Sequence, residues 1–302
     1  MTALVPAVEI GGTHVDAALV DLAERRVVRD SRRRQALRPD MSAGEFTAAV
    51  LHAARQVGAA EGAHWAVAVP GPFDYAFGVA LFKGVGKFDA LHGTDVGALL
   101  RRGLPAASVT FTNDADAFLL GEWAVGAAAG HQRAAAVTFG SGVGSAFLVD
   151  GLILPEDAGV MPGGRACYIC FRGRPLEDTV SRRAIIAAYA RAAGGGEQAD
   201  VAAIAERARR GEPQAVRVLA DAMEAAGLAV APYLERFDAT VLVVGGAMTG
   251  SWDLIEEPLR KGLFANNTHF SQHTDLRPSA MVDDATLIGA AVAAGRRRHN
   301  TH

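Results

Sequence analysis

Two stretches of this chain, about half its length apart, carry one pattern: an apolar strand, a glycine-rich tip and a returning strand. Ala7 to Ile10 closes on Gly11-Gly12-Thr13, with Val15 to Val20 as its return. Ala134 to Phe139 closes on Gly140-Ser141-Gly142-Val143-Gly144, and Ser145 to Val149 runs on to the turn signal Asp150-Gly151. Glycines at a strand end leave backbone N–H groups uncovered by side chains, and such groups form a concave site for anions such as phosphate. One tip alone reads more readily as a tight hairpin. Two of them predict a single architecture used twice.

Strands and helices alternate around these tips, which predicts an α/β protein. Ser42 or Asp40 caps a helix over Ala43 to Ala60, and His64 to Val69 is a strand stopped by Pro70-Gly71-Pro72. Thr94 to Arg102 suits a helix, Ser108 to Thr112 a buried strand and Ala115 to Ala129 a further helix. Helical spacing then covers Ser181 to Ala193, Ala199 to Arg210 and Pro213 to Phe237, with Gly194-Gly195-Gly196 between the first two. Thr240 to Val244 is a β-branched strand closed by Gly245-Gly246, and Thr286 to Arg297 forms a last helix with a basic tail. With 302 residues, 50% of them hydrophobic, the chain fills two cores more comfortably than one. The expected division is a small α/β domain over 1–117, completed by a C-terminal helix at about 287–302, and a larger α/β domain over 118–286.

Charge and cysteine content narrow the function. A net charge of −3 with both signs interspersed provides no broad cationic face, so nucleic acid is not an expected partner. Arg25, Arg26, Arg29 and Arg32 to Arg34, interrupted by Asp30, read as a solvated turn or hairpin edge. The two cysteines, Cys167 and Cys170, build no disulfide framework and fit a reducing cytoplasm. No run of eighteen apolar residues and no basic start with an apolar core occurs, so neither membrane insertion nor secretion is expected.

Two acids sit where phosphoryl-transfer chemistry would place them. Glu9 precedes the first tip, where a strand end holds a carboxylate near phosphate-bound magnesium; a plain ion pair is the alternative. Asn113-Asp114 follow an apolar strand and open a helix. A carboxylate there can take the proton of an attacking hydroxyl, the one proton transfer such a reaction requires. Asn113, Asp114 and Asp116 equally suit a helix N-cap.

In order along the chain, Glu9-Ile10-Gly11-Gly12-Thr13, Val69-Pro70-Gly71-Pro72, Asn113-Asp114-Ala115, Thr138 to Gly144, Val243-Val244-Gly245-Gly246 and Leu287-Ile288-Gly289-Ala290-Ala291 resemble the motifs of the ROK family of bacterial sugar kinases. The resemblance implies a two-domain fold of the actin, Hsp70 and hexokinase (ribonuclease H-like) type with a cleft between domains, closing to exclude water. It implies an ATP-dependent kinase acting on the 6-hydroxyl of a hexose. Glu9 would face Mg²⁺ through water, Gly11, Gly12 and Thr13 would form the first phosphate site, and Gly140, Ser141, Gly142 and Gly144 the second. Gly245 and Gly246 would lie against adenosine. Asn113, Asp114, Asp157, Glu177 and Gly71 would hold the sugar, with Asp114 as catalytic base. Homodimers, common in the family, are expected here by analogy.

Several positions depart from the family pattern. Glu9 stands where Asp is usual. Of the family's zinc ligands only Cys170 is kept; Tyr168, Pro175 and Val160 replace the others, and one thiolate does not hold a structural zinc, which needs four ligands. Val160 also removes a histidine that touches the sugar, while Asp157 shortens an acidic contact. A site rich in carboxylates and poor in neutral donors favours a sugar with a protonated amine, as in ROK kinases that act on amino sugars of antibiotic pathways, kanosamine among them, with glucose next. Polyphosphate/ATP glucokinase and N-acetylmannosamine kinase are the alternatives, the first echoed by Gly144-Ser145-Ala146. A sugar-sensing ROK regulator is disfavoured, since the phosphate motif starting at Glu9 leaves no room ahead of it for a helix-turn-helix.

Overall fold

The computed structural model describes residues 4–299 apart from 85, 196–198 and 267. Gly196 and the last three residues, 300–302, therefore lie outside the described residues. The chain forms two compact units, Met1–Gly126 with Asp283–His302, and Ala127–Val282.

In the first unit, β1 (Leu4–Ile10), β2 (His14–Asp21) and β3 (Arg26–Val27) form an antiparallel meander, and β4 (Arg33–Ala36) pairs with the other half of β2. Helix α1 (Ala43–Arg55) leads to β5 (Ala63–Val69), which lies parallel to β1. Ser42 caps α1 in a capping box, its hydroxyl accepting from Glu45 N at 3.3 Å while the Glu45 carboxylate accepts from Ser42 N at 2.9 Å. The helix stops short of Ala60 because Gln56 caps it and Gly58 adopts φ 75°. A small hairpin, β6 (Phe73–Asp74) with β7 (Val79–Ala80), and α2 (Val96–Gly103) precede β8 (Ala106–Asn113). The sheet order is β3-β2-β1-β5-β8. As the edge strand, β8 is only half covered; Phe111 and Asn113 alone are buried on it, where the sequence had read a buried strand. Inner β1 and β5 are apolar almost throughout because both faces are covered.

Helix α3 (Asp114–Val125) belongs to this unit, which moves the boundary from 117 to 126. The cause is its close crossing with the C-terminal helix Ala285–His299. A Cβ at Gly121 would stand 1.9 Å from Ala285 O, and one at Gly289 1.7 Å from Ala117 O. Only glycines let the two backbones approach so far, and α3 cannot leave with the second unit without opening that seam.

The second unit repeats the sheet plan. A hairpin of β9 (Arg133–Phe139) and β10 (Val143–Val149) is extended by β11 (Leu152–Ile153). Next come the short hairpin β12 (Cys170–Phe171) and β13 (Arg174–Pro175), then α4 (Glu177–Val180), α5 (Arg182–Ala192), α6 (Val201–Arg209) and the 25-residue α7 (Pro213–Phe237). Strand β14 (Val241–Gly245) runs parallel to β9, and β15 (Asp275–Pro278) parallel to β14 after α8 (Trp252–Leu263) and α9 (Thr268–His273). The C-terminal helix is α10 (Ala285–His299). The order β11-β10-β9-β14-β15 reproduces, position for position, the hairpin-plus-parallel path of the first sheet, as the paired glycine tips predict. Phe139, Phe147, Leu176, Ile185, Met223 and Leu242 fill the core under it.

Candidate active site

The parallel strands β1, β5 and β8 end together. Glu9 pairs in register with Ala68, and Val69 with Asn113, so Glu9, Pro70-Gly71 and Asn113-Asp114 collect at one edge of the first sheet. Gly11 N donates to His14 O at 2.8 Å and closes the tip; among the described residues the N–H groups of Gly12 and Thr13 meet no acceptor. That is the arrangement an anion cradle needs.

Asn113 is the N-cap of α3. Its Oδ1 accepts from Ala115 N at 3.0 Å and Asp116 N at 3.2 Å, and its Nδ2 donates to Tyr75 Oη at 2.9 Å. Asp114, half-buried, opens the helix with Oδ1 accepting from Ala115 N at 2.9 Å, where the helix dipole favours a negative charge. Both readings of this pair therefore coexist: Asn113 does the capping and Asp114 presents the carboxylate.

Burial, and then the nearby charges of Asp16 and Asp114, push the Glu9 carboxyl up to about 7 against the opposing hydrogen bond from Thr286 and the charge of Arg32. Asp16, opposite Glu9 on β2, is 1% exposed. Arg34 clamps it with Nε at 2.9 Å and Nη2 at 2.6 Å, Arg32 Nε lies at 3.5 Å and His14 Nε2 at 3.4 Å. Arg32 also reaches Asp284 at 2.7 Å, just before α10. Arg34 stays exposed on the edge strand β4 and Arg32 is partly buried, and both serve as counter-charges to a buried acid, a pairing the hairpin-edge reading did not include. Asp16 is taken up by its arginine clamp, and among the described residues no group of three or more acidic, histidine or cysteine side chains is set to hold a metal. Glu9, raised first by burial, and Asp114 are the carboxylates left that could face a Mg²⁺ through its waters.

In the second unit the ends of β9 and β14 also meet, with Gly245 in register with Thr138. Gly246, at φ 86°, packs so tightly that an added Cβ would lie 2.2 Å from Phe139 O. In the glycine tip, Gly140 N donates to Gly142 O at 3.0 Å and Gly140 O accepts from Arg182 N at 2.8 Å. The N–H groups of Ser141 and Gly142 have no acceptor among the described residues. Gly144 pairs with Thr138 inside the ladder, so the open tip is Gly140 to Gly142. Glu177, first residue of α4 behind the buried Leu176, accepts from Val143 N on Oε1 at 2.8 Å.

Asp157 is exposed in the 3-10 turn Glu156–Ala158, and it is its neighbour Glu156 that is engaged, with Arg165 Nε at 3.0 Å. Arg165 also donates to Ser145 O at 2.9 Å. Val160 packs on the core while its carbonyl accepts from Arg236 at 2.9 Å. Burial, then the Glu177 charge, pushes the Cys167 thiol up to about 11, and Cys170 is exposed on β12. Sequence reasoning missed Tyr75, Arg165, the Asp16 clamp and Thr286.

The sequence pattern of the ROK family matches residues 5–297. The chain belongs to the ROK family. A glucokinase of Thermotoga maritima is 29% identical over 204 residues, 61% of this chain and 64% of that protein, so the matched part spans less than two thirds of the relative's length. A ROK family glucokinase from Streptomyces griseus, solved with glucose and AMPPNP, has a TM-score of 0.80 at 23% identity, covering 97% of this chain and 100% of that one. An inorganic polyphosphate/ATP-glucomannokinase from Arthrobacter sp. strain KM gives 0.69 at 23% identity, covering 98% and 99%. The fold is the two-domain, actin/hexokinase-like fold of ROK sugar kinases.

Proposed function

We propose that this ROK protein is a sugar kinase that transfers a phosphoryl group from ATP to the 6-hydroxyl of a hexose or amino-hexose, with Asp114 as general base. The observation that carries the reading is the edge of the first sheet, where a half-buried carboxylate at a helix start stands beside a glycine tip with two unengaged amides. In this reading Asp114 accepts the hydroxyl proton, and Asn113, Gly71, Glu177 and Asp157 orient the sugar. Gly11 to Thr13 and Gly140 to Gly142 receive phosphate oxygens, and Gly245-Gly246 borders the adenosine. Glu9 takes the place of a magnesium-facing acid through water; bound Mg²⁺ would neutralise charge on the transferring phosphates.

For the acceptor, the reading favours an amino-hexose, kanosamine ahead of glucose. Val160 offers the sugar no polar side-chain atom, whereas Asp157, Glu177 and Asp114 supply three carboxylates suited to a protonated amine. Steady-state kinetics over glucose, glucosamine, kanosamine, mannose and N-acetylmannosamine test this, with ATP and then polyphosphate as donor. The reading expects the highest kcat/KM for kanosamine with ATP. A higher value for glucose than for every amino sugar removes the amine preference, and turnover with polyphosphate alone replaces the donor.

A further inference from the structure

We propose that Glu177 couples sugar occupancy to anion binding at the second glycine tip. Its carboxylate holds the Val143 N–H and lies against the tip, and engagement by a sugar draws it away. This rests on the reading of Glu177 as a sugar ligand.

The geometry is that of a latch. Oε1 accepts from Val143 N at 2.8 Å, and a Cβ built on Gly142 would fall 2.3 Å from the same oxygen. The carboxylate therefore lies directly against the tip, beside the Ser141 and Gly142 amides that meet no acceptor among the described residues. Val143 faces Phe139 across the hairpin while Gly140 N bonds Gly142 O, so the Val143 N–H points out of the ladder toward this partner. The other flank of the tip is tied to the same segment, since Arg182 N donates to Gly140 O at 2.8 Å. Residues 177–182 thus brace both sides of Gly140 to Gly142, and a change at Glu177 is felt at the tip.

Charge decides the sign of the coupling. The arginines of the brace are committed elsewhere, Arg182 to Asp200 at 2.9 Å and Arg183 to Asp178 at 3.0 Å. An incoming phosphate then meets two donating amides and one carboxylate that repels it. Moving that carboxylate onto sugar hydroxyls or an amine removes the repulsion and frees a third amide, Val143 N–H. Sugar and nucleotide then bind with positive, reciprocal coupling.

Calorimetric titration of Mg²⁺·AMPPNP into wild-type protein and Glu177→Gln, each with and without saturating kanosamine or glucose, tests the proposal. Glutamine still accepts from Val143 N but carries no charge. For wild type, sugar should tighten nucleotide binding about tenfold. Glu177→Gln should bind AMPPNP about tenfold more tightly than wild type without sugar, and sugar should add little further. Equal or weaker sugar-free binding by Glu177→Gln, or an undiminished sugar effect, overturns the latch and leaves the kinase reading standing. No AMPPNP binding to either protein even with sugar overturns both. A readout on wild type alone guards against misfolding of the variant: sugar should move the Val143 amide proton resonance upfield as its bond to a carboxylate is lost, and an unmoved resonance contradicts the proposal.

Discussion

The carboxyl edges of the two sheets are built alike and equipped differently. Each receives a glycine-tipped hairpin and the ends of parallel strands in the same order. The first edge collects the acids Glu9, Asp16 and Asp114 with Arg32 and Arg34 as counter-charges. The second has backbone amides, close-packed glycines and the carboxylate of Glu177, already bonded to the tip. The shared scaffold supplies a glycine tip with open amides twice, whereas the residues just past the strands decide what else an edge can do. In the proposed reading, proton transfer and magnesium fall to the first edge, and the adenosine and a second set of phosphate contacts to the second.

The sharpest way to break this division is Asp114→Ala. Loss of a general base should lower kcat by about 10² to 10⁴-fold, while thermal melting stays near wild type because Asn113 keeps the α3 cap. Near-normal turnover would return the proton chemistry to some other group.

Glu9 probes the same edge through stability. Its folded pKa of about 7 lies above the ordinary 4.5, so between those values the native state binds more protons than the unfolded chain. Stability of the ligand-free protein should therefore be highest below about pH 4.5 as far as Glu9 is concerned, and fall as pH rises to about 7, by roughly 2–3 kcal/mol. Glu9→Gln should remove that part of the slope in urea titrations at several pH values; a slope identical to wild type would mean the acids at this edge are not packed as described.

At the second edge the corresponding effect is steric. Gly246→Ala forces a Cβ against Phe139 O at a positive φ and should cost about 2 kcal/mol in urea unfolding. Gly140→Ala meets nothing within 4 Å and should change stability by less than about 0.5 kcal/mol. Equal losses at the two glycines would erase the distinction between the packed shelf and the open tip. Outside both edges, Ser42→Ala should cost only about 1 kcal/mol by uncapping α1, with kinetics unchanged.

Much of this plan is legible in the sequence because its signals are local. The tips show as glycine after an apolar run, and Ser42 announces its helix as a side-chain cap; Ser181 and Asp200, read within their helices, are likewise caps in the structure. Pro213 at the first position and Phe237 at the last bound α7 as read. What stayed hidden depends on long-range meetings. Arg32 lies 252 residues from Asp284, and no periodicity links them; Thr286 reaches Glu9 only because α10 returns to the first unit. The expected boundary at 117/118 cut through helix α3, and the clue to where the helix belongs was a glycine within each of two helical patterns, Gly121 and Gly289. Strand β15 begins with a charge and ends in proline, so it lacks the apolar run that marks its neighbour β14.

The most direct test of the central claim is ADP release by the purified protein with Mg²⁺ and ATP, followed with and without hexose and matched to the mass of the sugar product. ADP formation should require sugar and equal the sugar phosphate formed. ADP release indifferent to every sugar, or no release at all, would contradict the claim.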